Sequence, residues 1–254
     1  MTRSGFRPSL LFNRQWWWTT LLVIAGMFLL ARLGVWQLER LEQRRAANAV
    51  IQAQLAAPPL DLNREPPPDA ASAVRYRQVT AVGSYDIARQ VFVVQQRYNE
   101  RLGQYVITPL QIAGSDQAVL VNRGWIPGSD DGLAAWPDFP VTGIVTVTGY
   151  IRATETLPDR FQTVPRTSST PQEEWFRVDV AGIAAQLPYP ILPFYIQQTP
   201  EAATPPANDG LPYRIPLEID LSDGSHLGYA IQWFIFSLTL GLGYIYYIHK
   251  QNHL

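Results

Sequence analysis

Hydrophobic positions in this chain form one long run near each end and a series of short, interrupted runs between them. The first long run is "WWWTTLLVIAGMFLLARLGVWQL", residues 16–38. Its roughly 23 residues rise about 34 Å as a helix, enough to cross a hydrocarbon core. Trp16, Trp17 and Trp18 make an aromatic belt at one interface and Trp36 marks the other. The second run lies in "SHLGYAIQWFIFSLTLGLGYIYYI" and gives a span over residues 227–248, belted by Tyr244, Tyr246 and Tyr247. A cleaved signal peptide competes for the first run, but no small-x-small cleavage site follows promptly, which favours an uncleaved anchor.

Two spans place both tails on one side and the intervening chain on the other. Arg3, Arg7 and Arg14 argue for cytoplasmic tails, whereas Arg40, Arg44 and Arg45 argue the reverse. Long connecting domains cross largely regardless of charge, so the tails are assigned to the cytoplasm. The expected division is a tail at 1–15, a span at 16–38, an extramembrane region at 39–226, a span at 227–248 and a tail at 249–254.

Between the spans the pattern shortens to strand length. "YRQVTAVGSYD" (76–86), "QVFVVQQR" (90–97), "GQYVITPLQI" (103–112), "AVLVNRGWI" (118–126), "GIVTVTGYIR" (143–152) and "PFYIQQT" (193–199) are rich in β-branched and aromatic residues. "NERLG" and "AGSDQ" supply turns. Asp179 is an N-cap candidate for a short helix reaching Leu187. The fold class expected is an integral membrane protein with two transmembrane helices flanking a β-rich extramembrane domain, an antiparallel sandwich or partial barrel over about 70–200. The Pro-rich segments "APPLDLNREPPPDAAS" and "TPEAATPPANDGLPYRIP" read as spacers at its edges. Tyr85, Phe92, Trp125 and Tyr150 are expected to stabilise it by burial.

Composition then removes chemistries. The absence of cysteine excludes disulfides, thiolate catalysis, Cys-ligated zinc and covalent c-type haem. A net charge of -1 gives no footprint for nucleic acid. No nucleophile elbow, zinc-protease motif, dinucleotide fingerprint or P-loop is present. All three histidines lie at or beyond residue 226, so the large domain has no imidazole base. Glu173, Glu174, Asp130 and Asp131 read as solvated turn residues, and no catalytic residue is assigned.

The candidate chemistry is at the membrane boundary. On helical spacing His226, Ala230, Trp233, Ser237, Gly241 and Tyr244 share one face of the second span. Arg32, Trp36 and Arg40 align in and beyond the first, with Gly34 one position round as a site of close helix contact. An imidazole can ligate haem iron, and guanidinium groups can pair with propionates. From the residues alone the plainer reading is that His226 caps its helix while Arg32 snorkels to water.

"LGVWQLERLEQR", "YRQVTAVGSYD" with "NRGWIP", and "HLGYAIQWF" occur in that order. Together they resemble the Surfeit-locus-one family of cytochrome c oxidase assembly factors. The resemblance implies a bacterial inner-membrane protein with its large domain in the periplasm. It implies binding of haem a and its supply to the catalytic subunit of the oxidase, alongside the machinery of haem a synthesis. It also implies that His226 is the metal ligand, with Trp233–Phe234 and the Gly34, Trp36, Gln37 and Arg40 signature beside it. The cofactor-binding set expected on this basis is His226, Trp233, Arg32, Trp36 and Arg40. The alternative is a membrane-anchored scaffold that docks oxidase subunits through its β-domain without carrying haem. "NRGWIP" is expected to shape the domain, with Arg123 in a structural ion pair.

Overall fold

The computed structural model describes residues 16–67, 71, 74–128, 139, 141–155, 172–200 and 210–251. Its helices are α1 (Trp17–Ala56), α2 (Val180–Ala184) and α3 (His226–Gln251). The strands are β1 (Leu60–Asp61), β2 (Gln78–Tyr85), β3 (Val91–Tyr98), β4 (Arg101–Ile112), β5 (Ala118–Pro127), β6 (Val145–Ala153), β7 (Glu174–Trp175) and β8 (Ile191–Gln198). The chain divides into two compact units, Met1–Val50 with Asp220–Leu254, and Ile51–Ile219.

In the first unit α1 and α3 are both long and apolar enough to cross a membrane. α1 does not stop at Leu38 but continues to Ala56. The stretch "ERLEQRRAANAVIQAQLA" is built from strong helix formers, so nothing ends the helix before Pro58 and Pro59. The buried positions of α1 include Thr20, Gly34, Leu41 and Asn48, a spacing built on sevens, and those of α3 are Ala230, Gly241 and Ile248. A seven-residue repeat keeps one seam facing a partner helix. Elsewhere the apolar side chains point outward, with Leu22 71% and Phe28 74% exposed.

The second unit is barrel-like. Strands β2, β6, β8, β5 and β4 follow one another by hydrogen bonding, and the ring closes through Gly83 to Tyr85 of β2 against Leu110 to Ile112 of β4. β3 and β7 extend beyond β4, and β1 lies outside β2. The β3–β4 hairpin turns on Asn99 and Glu100, both at positive φ (46° and 62°), the two-residue geometry whose twist matches the strands. The expectation of antiparallel strands is corrected at three pairs: β1–β2, β3–β7 and β5–β8 are parallel. Hairpin spacing describes consecutive strands only, whereas β8 arrives after α2 and inserts between β6 and β5. Asp179 caps α2 as expected, its carboxylate accepting from the Gly182 N–H.

The spacer reading fails for residues 60–62. Leu60 pairs with Val79, and both Leu60 and Leu62 are buried in the core. Tyr213, in the second Pro-rich segment, bridges Trp125. Glu174 is not a turn residue but pairs with Phe92; Asp130 and Asp131 lie outside the described residues. Among the four aromatics named for the core, Trp125 alone is fully buried. Phe92 and Tyr150 occupy the alternate positions of β3 and β6 and are half-buried, as is Tyr85. Mainly aliphatic residues, with Phe194 and Tyr195, fill two core clusters instead, one around Leu110, Val121 and Ile151 and one around Ile107, Leu120 and Ile183.

Candidate functional site

The α1–α3 seam is closed by small residues and interhelical hydrogen bonds. A Cβ on Gly34 would stand 2.8 Å from the Phe234 ring, and one on Gly241 2.7 Å from Met27. The Ser237 hydroxyl donates to the Met27 carbonyl at 3.0 Å. At one end the Tyr244 hydroxyl lies 2.7 Å from Thr20 Oγ1 and 2.9 Å from Thr19 Oγ1. At the other end, His226 Nδ1 lies 2.9 Å from Gln37 Oε1.

His226 is the first residue of α3 and is half-buried. Its imidazole bonds across the pair to Gln37 rather than to a free N–H of its own helix. An amide oxygen only accepts, so with Oε1 facing the ring Nδ1 is the donor, and in the neutral imidazole Nε2 then holds the lone pair. No described residue forms a hydrogen bond with Nε2. Gly224, at φ +68°, makes the turn before the helix, and a Cβ there would stand 3.8 Å from Nε2.

The segment entering α3 is clasped by the continuation of α1. Arg44 donates to the Asp220 and Ser222 carbonyls at 2.9 and 3.2 Å and pairs with the Asp220 carboxylate at 3.2 Å. Arg45 pairs with Asp223 at 2.8 Å. Asn48, buried, donates to the Leu221 carbonyl at 2.8 Å and the Ser222 carbonyl at 3.2 Å. Hydrogen bonds from Ser222, with Arg44 beside it, hold the Asp220 carboxyl below the usual range. Sequence reasoning missed this clasp. Its one readable signal was charge: three arginines leave the first run while Asp220 and Asp223 precede the second.

The structure brings two of the five expected cofactor residues onto the seam face, His226 and Trp233. Trp233 is half-buried and packs edge-on to Phe236, with centroids 6.0 Å apart. Arg32 and Trp36 stand about 200° round the helix from Gly34 at 100° per residue. Arg32 reaches Glu39 at 3.5 Å. Arg40 bonds Gln43 and lies 5.5 Å from the Trp36 ring centroid. These three therefore form a separate, outward stripe.

The donor set limits what His226 can hold. Among the described residues no group of three His, Asp or Glu side chains converges. A lone imidazole does not retain a bare transition metal, which takes several protein ligands. It does fit an iron that brings four equatorial nitrogens of its own.

In the barrel the "NRGWIP" motif makes a bulge. Val106 pairs with Gly124 and Ile107 with Asn122, which leaves Arg123 out of register and turned inward. Arg123 is buried, donates to Gln90 Oε1 at 3.1 Å and to the Phe139 carbonyl at 2.8 Å, and lies 4.9 Å from the Tyr85 ring centroid. The expected ion pair is corrected: among the described residues these neutral acceptors and the ring take its place. Burial lowers the Arg123 pKa and raises the Tyr85 phenol to about 12.

A family profile described as the SURF1 family matches residues 24–238. The chain belongs to the SURF1 family. A SURF1-like protein of Monosiga brevicollis is 29% identical over 83% of this chain and 80% of its own length. A SURF1-like protein of Rickettsia prowazekii is 24% identical over 91% of this chain and 90% of its own. Over 37% of this chain, and 24% of its own length, a Saccharomyces cerevisiae protein named cytochrome oxidase assembly protein SHY1 is 30% identical. The SURF1 match takes in Gln37, Arg44, Arg45, Asn48 and His226, so the seam end and its clasp lie inside the family region.

Proposed function

We propose that this SURF1 protein is a two-span inner-membrane protein that assists cytochrome c oxidase assembly by holding haem a at His226. Membership of a family whose yeast relative is named an oxidase assembly protein supports the process. The observation that carries the site is the His226–Gln37 pair, which engages Nδ1 and leaves Nε2 as the ring nitrogen without a hydrogen bond to a described residue. Haem a would supply an iron able to take a nitrogen ligand; His226 would hold it through Nε2, and Trp233 lies on the same helix face. No covalent chemistry is assigned to the chain, and its action is to bind, orient and pass on. In this reading the unit Ile51–Ile219 is periplasmic, faces the catalytic subunit, and leaves α1 and α3 to the lipid.

The test is haem a retained by detergent-purified protein at matched expression in cells that make haem a. His226→Ala is expected to remove the co-purifying Soret band while the protein accumulates normally. Arg32→Gln and Arg40→Gln, on the other side of α1, are expected to lower retention less, and His249→Ala not at all. Reporter fusions near residue 140 and at the C-terminus are expected to give opposite compartment signals. Equal haem a in wild type and His226→Ala would leave the protein as a docking scaffold.

A further inference from the structure

We propose that Gln37 is the positioning residue for His226: it fixes the imidazole as the Nδ1–H tautomer and aims Nε2 away from the seam. The inference rests on the haem a reading of the same site and adds to it the residue that sets the ligand's state. Three observations carry it.

First, Gln37 Oε1 lies 2.9 Å from His226 Nδ1, a hydrogen-bond distance, and an amide oxygen facing the ring can only accept from Nδ1–H. An unconstrained neutral histidine places its proton on either nitrogen, and only the Nδ1–H form offers Nε2 to a metal. Secondly, both ends of the bond are anchored. Gln37 stands one helical turn from Gly34, where the two helices touch through the Phe234 ring. The chain before His226 is held at Asp220 to Asp223 by Arg44, Arg45 and Asn48, two to three turns further along the same helix. Rotation of the imidazole away from Gln37 would therefore not be accommodated by a loose helix start. Thirdly, the residue beside Nε2 is Gly224, which brings no side chain there; a Cβ at that position would stand 3.8 Å from the nitrogen. A hydrogen bond from the distal ring nitrogen of a ligating histidine both orients the ring and raises its basicity.

The experiment uses the full chain in detergent, first without haem. With ring-15N-labelled histidine, resonances lost in His226→Ala identify this imidazole. At a pH where it is neutral, the wild type should show a protonated Nδ1 and an unprotonated Nε2. Gln37→Leu, similar in size but without an acceptor, should move the proton towards Nε2. In the second arm ferric haem a is titrated into each variant. Gln37→Leu should bind about 10–100-fold more weakly, the usual consequence of losing such a partner. Gln37→Glu, a stronger acceptor, should restore binding and lower the reduction potential of the bound haem. Far-UV circular dichroism checks that the helices persist in each variant.

A wild-type His226 protonated on Nε2 overturns the proposal, as does Gln37→Leu binding haem a like wild type when His226→Ala does not. If His226→Ala itself binds normally, the haem reading fails while the tautomer result still decides whether Gln37 positions the ring.

Discussion

Gly124→Ala should damage the barrel more than any other single methyl addition at a positive-φ glycine. The residue sits at φ +141°, and an added Cβ would stand 2.5 Å from the Tyr213 carbonyl oxygen and 2.7 Å from its carbon. Both obstacles are backbone, so no rotamer change relieves them. The chain at Tyr213 must move, which breaks the two hydrogen bonds joining Trp125 and Tyr213, each 2.8 Å long. Backbone strain at such a position costs about 1–3 kcal/mol, and each bond is worth roughly 0.5–1.5 kcal/mol. The sum is about 2–6 kcal/mol, a large part of the roughly 5–15 kcal/mol that holds a domain together. The matched control is Gly114→Ala, at φ +80° with nothing within 4 Å of the added carbon. It carries backbone strain without the collision. Urea unfolding of both proteins, followed by near-UV circular dichroism, should place Gly124→Ala well below Gly114→Ala in midpoint. Equal midpoints would refute the claim that close approach at Tyr213 demands a glycine.

The Tyr85 phenol, raised to about 12 by burial, ionises more readily unfolded, near the ordinary value of about 10. Its contribution is full below about pH 10 and is lost as pH rises towards about 12, an effect of about 2–3 kcal/mol that Tyr85→Phe should remove. Tyrosinate absorbance and circular dichroism in one alkaline titration check this, and full ionisation near pH 10 with the fold intact would contradict it. Gly34→Leu should push Phe234 away and break the Gln37–His226 bond, read from the His226 ring resonances. The urea midpoint of the barrel should stay unchanged, and loss of both together would show that the seam is not a separate unit. Asn48→Leu leaves the Leu221 carbonyl without its partner at about 1–3 kcal/mol, while Arg44 still holds that of Ser222, and should speed tryptic cleavage at Arg44 and Arg45; an unchanged cleavage rate would remove Asn48 from the clasp.

The strands that could be read in the sequence are those with enough residues to show a period. β2 and β6 bury every second side chain, β3 does so over Val91–Val93, and all three appear within two residues of their true bounds. β1 and β7 have two residues each, too few for any alternation, and β1 is hidden in a Pro-rich segment. β5 is buried along nearly its whole length, Asn122 and Arg123 included, so its burial has no alternation and its sequence says nothing about its neighbours. The parallel β5–β8 pair and the closure of β2 on β4 are long-range choices that no local pattern encodes. The Arg123 bulge was hidden for a related reason. A strand with one residue out of register looks regular in sequence until its partner's register is known.

The two helices divide differently. On α3 the line from His226 through Ala230, Trp233, Ser237 and Gly241 to Tyr244 was legible, because small residues are spaced along it among large ones and only that line permits close approach. On α1 the line chosen through Arg32, Trp36 and Arg40 follows the conspicuous side chains, whereas the seam runs through Gly34, the close contact that its size predicts, and through the inconspicuous Thr20, Met27, Gln37 and Leu41. With α1 and α3 placed in lipid, as proposed above, the hydrophobic effect does not separate a buried face from an exposed one, since both are apolar, so hydropathy carries no seam signal and small or hydrogen-bonding residues must carry it. That inverts the habit learned from soluble helices, in which the charged residue marks the outside and draws no further attention. Here Gln37, neutral and unremarkable between Trp36 and Leu38, is the residue that meets the histidine, and the arginines that drew attention in the span turn away from it. The arginines that do act at this site, Arg44 and Arg45, lie beyond the apolar run, where water makes charge informative again and the acids at Asp220 and Asp223 give them partners.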